Sequence, residues 1–273
     1  MTDLRFASVM VGVDAGVGTE ARVGLAAEIA HRFAGLTIGI AAEAVPLALY
    51  TDAAEAFDEE FVLAEQKRID DRLGELERLF RRAAGGASEW RQAIDEPTGF
   101  LVRQAVAADL VVLGRGGPDD PALGRTGIDL GEAVIGASRP VLIVPPHDER
   151  AAARHVLVAW KDTHEARRVV ADALPFLRLA EEVTVLTIGE EREVDGLDDI
   201  CRNLERHSVR ARPLRVAVPQ GSIADEIILQ AEQRGADLLV AGAYGHGRLR
   251  EWIFGGVTHE LLRRTPCPCL LSR

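Results

Sequence analysis

Gly242, Gly245 and Gly255 punctuate the stretch GAYGHGRLREWIFGGVTHELL, at a spacing that could hold a phosphate. Gly242 closes an apolar run that reads as a strand. Gly245 lies three residues on, and Gly255 ten beyond that, where a helical pattern opens. Glycine lets the backbone approach a ligand, and the unpaired N–H groups at a helix start favour an anion. Gly256, Val257 and Thr258 lie at that start, Arg248 lies in the loop, and Lys161 ends another strand-like run from which it could reach the same cleft. The same spacing recurs earlier as Gly114, Gly117 and Gly127, with Asp14 standing where the later copy has Lys161.

Other residues that could do chemistry carry weaker signals. Cys267 and Cys269 sit two apart in a strand pattern and so share a face. Zinc and dithiol sites use a different spacing, so core or subunit-contact cysteines are the better reading. The seven histidines, His246 and His259 among them, form no HExxH or comparable ligand set. GxSxG, GxxxxGK[ST] and GxGxxG are all absent, which leaves hydrolase and dehydrogenase readings without support. Trp160 and Trp252 could stack on a base or form a lid, although packing is the commoner use of such residues. The run FDEEFVLAEQKRIDDRLGELERLFRR (57–82) reads as a solvated helix face rather than a partner helix.

The elements that must position these residues occur twice. ADLVVLGRGG (108–117) returns as ADLLVAGAYG (236–245), and RPVLIVPP as CPCLLSR, both displaced by 128 residues. SVMVGVD (8–14) returns as HVLVAWK (155–161). Two copies of one unit are therefore expected, 1–149 and 150–273, joined through PPHDERAAARH. Strand-like runs fall at 8–13, 36–42, 89–94, 110–114 and 140–144, then at 155–160, 183–188, 212–218, 238–242 and 267–271. Helical stripes lie between them: Val23, Ala26, Ala30 and Phe33, with Gly35 as a stop, and Ile69, Leu73, Leu76 and Phe80. Strand–helix alternation implies a doubly wound parallel sheet in each copy. Asp14 to Asp109 spans 95 residues and Lys161 to Asp237 only 76, so the first copy carries about 19 more, mostly between Pro46 and Gly85.

The pattern Gly-x2-Gly-x9-Gly, after ADLLV and before a short helix leading into PCPCLLS, resembles the universal stress protein family, as does a first strand ending in Asp14. The resemblance covers the chain twice. It implies five parallel strands per unit, of the adenine-nucleotide alpha-hydrolase-like, Rossmann-like kind. It also implies units paired through their last strands as an internal pseudo-dimer and, in some members, ATP or ADP held by the glycine loop. Those nucleotide-binding members have Ser or Thr after the third glycine and an acid at the end of the first strand. Here Ile128 follows Gly127, Gly256 follows Gly255, and Lys161 replaces the acid.

The two loops differ. The first holds Pro118, Asp119, Asp120 and Pro121, and its helix opens DLGE (129–132), a capping-box spacing. Carboxylates there would occupy the N–H groups a phosphate needs, removing charge-assisted bonds of about 1.5–3 kcal/mol each. The second loop has His246, Arg248 and Arg250 and no acid before Glu251. Two functions stay open: a non-catalytic stress-response protein working through protein contacts or self-association, or a nucleotide sensor using the second copy, with slow ATP hydrolysis at most.

Composition bounds the rest. A net charge of −11 argues against a general nucleic-acid binder, and no stretch is long and apolar enough to span a bilayer. With 47% hydrophobic residues, three cysteines and no secretory pattern near Met1, a cytoplasmic protein is expected.

Overall fold

The computed structural model describes residues 5–46, 59–116, 125–146, 153–189, 196–244 and 256–273. The expected boundary between 149 and 150 falls outside these residues.

The β-branched and leucine-rich runs form strands, and the amphipathic runs between them form helices. In the first half these are β1 (Ser8–Gly12), α1 (Thr19–Arg32), β2 (Leu36–Ala42), α2 (Glu59–Ala84), β3 (Ser88–Ala93), α3 (Pro97–Gln104), β4 (Leu110–Gly114), α4 (Leu130–Gly136) and β5 (Val141–Val144). The second half repeats the order with β6 (His155–Ala159), α5 (His164–Leu177), β7 (Glu182–Ile188), α6 (Leu197–Arg206), β8 (Ala211–Val216), α7 (Ile223–Gln233), β9 (Leu238–Gly242), α8 (Gly256–Arg264) and β10 (Cys269–Ser272). All ten expected strands appear, within two residues at their ends. The extra length of the first copy lies partly in α2, 26 residues against 10 in α6.

The strand order is β3-β2-β1-β4-β5-β10-β9-β6-β7-β8. Pairing is parallel throughout each half, and β5 meets β10 antiparallel, with Leu142 opposite Leu270. The two five-stranded sheets thus join edge to edge as an internal pseudo-dimer, and each half covers the other's otherwise open edge. Both faces of the sheet are covered, which is why its central strands are apolar without alternation. One apolar layer packs under α1, α2, α5 and α6, the other under α3, α4, α7 and α8. Both run through the junction. Phe6 and Phe33 of the first half meet Phe176 of α5, with ring centroids 5.0 and 6.1 Å from it.

The repeated aspartates have a matching job. Asp109 accepts from the N–H groups of Ala7 and Ser8, and Asp237 from those of Arg154 and His155. Each carboxylate fixes where the first strand of its half enters the sheet.

Two expectations are corrected. Ala34, not Gly35, takes the left-handed conformation after α1, at φ 53°. Gly35 is required instead by close approach, since a Cβ there would lie 2.5 Å from the Phe6 carbonyl oxygen. The helix α2 is not simply a solvated face. Ile69, Leu73, Leu76 and Phe80 are buried as expected, but Glu65 is only 3% exposed.

Candidate functional site

The described members of the expected sets lie near the carboxyl ends of the strands, the side on which an open α/β sheet binds its ligands. In the first half these are Asp14, just beyond β1, and Gly114, which ends β4. Gly127 lies two residues before the N-cap of α4. Gly117 and the Asp119–Asp120 pair lie outside the described residues.

The space over Gly114 is taken by a residue that spacing arguments passed over. Arg22, on the first turns of α1, is 5% exposed, and a Cβ on Gly114 would overlap its guanidinium. Nε of Arg22 donates to the Gly12 carbonyl at 3.1 Å. Its Nη2 donates to Asp14 Oδ2 at 2.7 Å and to Thr19 Oγ1 at 3.0 Å. Asp14 Oδ1 in turn accepts from the Gly16 N–H at 2.9 Å and the Thr19 hydroxyl at 2.7 Å. Both Asp14 oxygens are therefore committed within the chain. A signal existed: Arg22, Ala26 and Ala30 fall at i, i+4 and i+8, so an arginine heads an apolar stripe.

A second buried cluster lies where β2 ends. Glu43 is 0% exposed and Glu65 of α2 is nearly so. Arg72 Nε approaches Glu43 Oε2 at 2.8 Å. Arg125, just ahead of α4, bonds Glu65 at 2.9 Å and lies 3.6 Å from Glu43. The Glu43 and Arg72 pair is close without hydrogen-bond alignment. Burial accordingly outweighs the attraction of Arg72 and Arg125, and the Glu43 carboxyl titrates above its usual range.

The helix start is capped by its own acid. Asp129 Oδ1 accepts from the Glu132 N–H at 2.7 Å. The reciprocal half of the expected capping box is replaced, because the Asp129 N–H donates to Thr98 Oγ1 at 3.1 Å.

In the second half, Gly242 ends β9 beneath the first turn of α5. A Cβ there would lie 2.7 Å from the Ala166 nitrogen and 2.8 Å from the Glu165 carbonyl carbon, so tight helix–strand packing alone demands glycine. Lys161 is exposed just past β6. Helix α8 starts at Gly256 and Val257 with no acid in its first turn. Thr258 is buried and its Oγ1 accepts from the Tyr244 N–H at 3.3 Å. Gly245, Arg248, Trp252 and Gly255, with His246, lie outside the described residues. Trp160 is 6% exposed within the apolar layer under α5 and α6, which removes it as a base-stacking or lid residue. Cys267 and Cys269 are buried in the opposite layer, and full burial pushes the Cys269 thiol up. Among the described residues no group of three or more His, Cys, Asp or Glu could hold a metal ion. None of the described helices is long and apolar enough to cross a membrane.

The halves also touch through these loops. Arg115, next to Gly114, donates from Nη1 to the Thr265 carbonyl beyond α8 at 2.8 Å. Burial and the nearby Asp129 carboxylate push the Tyr244 phenol up to about 12.

Residues 152–273 match the family model described as Universal stress protein family. Universal stress protein Slr1230 of Synechocystis sp. (strain PCC 6803) is 25% identical over 171 residues, 60% of this chain and 58% of that protein. Universal stress protein YxiE of Bacillus subtilis (strain 168) is 28% identical over 86 residues, 32% of this chain and 58% of that protein. The chain thus spans under three fifths of each relative's own length. A universal stress protein structure from Archaeoglobus fulgidus DSM 4304 superposes with a TM-score of 0.73 at 16% identity, covering 97% of this chain and 96% of that one. A functionally unknown Pseudomonas aeruginosa PAO1 protein, PA1789, gives 0.60 at 15% identity, covering 99% and 93%. At such identities the likeness is one of fold.

Proposed function

We propose, from the family match over residues 152–273 and a fold that repeats in both halves, that this chain is a tandem universal stress protein, non-catalytic and acting through protein contacts. One observation carries the reading: the Arg22 guanidinium fills the space over Gly114, held by Asp14, Thr19 and the Gly12 carbonyl. A nucleotide in the first half would have to displace a buried ion pair and then meet the Asp129 cap. The described residues there do not fit a phosphate. The division into units 1–149 and 150–273 is part of the same proposal. Titration calorimetry of the full chain with ATP and with ADP tests it. No heat up to millimolar ligand is expected, and no nucleotide in mass spectra of the purified protein. Saturable micromolar binding would overturn it.

A second reading keeps an adenine nucleotide in the second half alone. It is supported by exposed Lys161 and by an α8 start, Gly256 to Thr258, free of acids. Under this reading Gly245→Asp abolishes binding, since it adds a carboxylate to the loop. Under the first reading the same substitution leaves partner contacts intact.

A further inference from the structure

At the amino end of β5 and the carboxyl end of β10, a cavity of about 310 Å³ opens between the halves. Ser138 and Arg139 line it from the first half, and Arg168, Asp172, Ser272 and Arg273 from the second. None of these belongs to a glycine loop, so the site is independent of either nucleotide reading.

Three arginines thus line the cavity with one side-chain carboxylate, Asp172, and that carboxylate is already engaged. The Ser272 hydroxyl donates to Asp172 Oδ2 at 2.9 Å. Arg168 Nε, one turn earlier on α5, approaches the two Asp172 oxygens at 3.2 and 3.4 Å. Ser272 is 2% exposed, so this Ser–Asp–Arg chain is anchored at one end in the packed interior and reaches solvent at Arg168, whose side chain is 56% exposed. Across the cavity Arg139 is half-buried, and its bond to the Val106 carbonyl is long, at 3.4 Å. Val134 and Ile135 of α4 supply an apolar wall, which limits competition from water.

We propose that this cavity binds a small dianion, a phosphate or a phosphomonoester of similar size. Its volume is near the lower limit of small-molecule sites, which suits a ligand smaller than a nucleotide. Planar guanidinium forks match phosphate oxygens two at a time. Arg168 is pre-organised, which lowers the entropy cost of using it. The site exists only where the halves pair, so its ligand also braces the junction.

The test is calorimetric titration of the full chain with inorganic phosphate and, separately, glycerol phosphate, at constant ionic strength. Saturable binding of one equivalent is expected, and the tighter of the two ligands identifies the source. Arg139→Gln should weaken it at least about tenfold, as loss of one charge-assisted bond implies. Arg212→Gln, on the far edge strand β8, should leave it unchanged. Should Arg139→Gln melt early, Ile135→Glu, at a 37% exposed wall position, places a negative charge in the cavity and must also abolish binding. No saturable heat, the same response to chloride, or undiminished binding in the Arg139 or Ile135 variant would overturn the proposal.

Discussion

At Gly114 a single hydrogen in place of a methyl group decides what fills the first cleft. The Arg22 guanidinium occupies that space and neutralises Asp14, with side chains 5% and 19% exposed. Arg22→Ala should cost about 3 kcal/mol in urea unfolding, because breaking a mostly buried pair leaves Asp14 uncompensated. Gly114→Ala should be similarly costly alone, since its methyl evicts the same guanidinium. In the Arg22→Ala background it should cost little, and additive losses in that double-mutant cycle would refute the steric account. Gly242 is different. Its neighbour is helix backbone, which cannot swing aside, so Gly242→Ala should cost about 1–3 kcal/mol with no second-site relief.

Helix α2 matters beyond its apolar stripe, because Glu65, Arg72 and Arg68 carry a polar cluster under it. Glu43 and Glu65 are the carboxylates of that cluster, and Arg72, Arg125 and Arg68 its cations. The Glu43 carboxyl is raised by burial, so the folded chain binds its proton more tightly than the unfolded chain does. That contribution to stability is fully present below the unfolded value near 4.5 and is lost as pH rises through the folded value. Glu43→Gln should therefore gain stability relative to the parent between pH 4 and pH 7, in paired urea melts. A difference that does not change with pH would show that the arginines fully compensate the burial.

The whole molecule is one sheet with two apolar layers that both cross the β5–β10 junction. The halves should consequently unfold together, in a single calorimetric transition. Phe176, 0% exposed and in ring contact with Phe6 and Phe33 of the other half, is the sharpest probe. Phe176→Ala should lower stability by about 3–5 kcal/mol and keep the transition single. Two resolved transitions in the parent protein would mean the halves are energetically separate.

The repeat, the ten strands and the buried stripe of α2 were legible in the sequence, whereas the pairing through the last strands followed only from the family resemblance and its antiparallel sense only from the structure. The first three depend on local periodicity or on a spacing that recurs after 128 residues. The Asp129 cap was legible too, since it joins residues three apart. The content of the clefts was not, because it depends on side chains from elements distant in the chain. Arg22 reaches Gly114 across 92 positions, and Arg125 reaches Glu43 across 82. Gly114 and Gly242 read as equivalent glycines, yet one makes room for a guanidinium and the other for the backbone of α5. By itself the sequence determined where the strands and turns must lie. Only the tertiary structure decided what stands over each glycine, because close approach is set by how separate helices pack on the sheet.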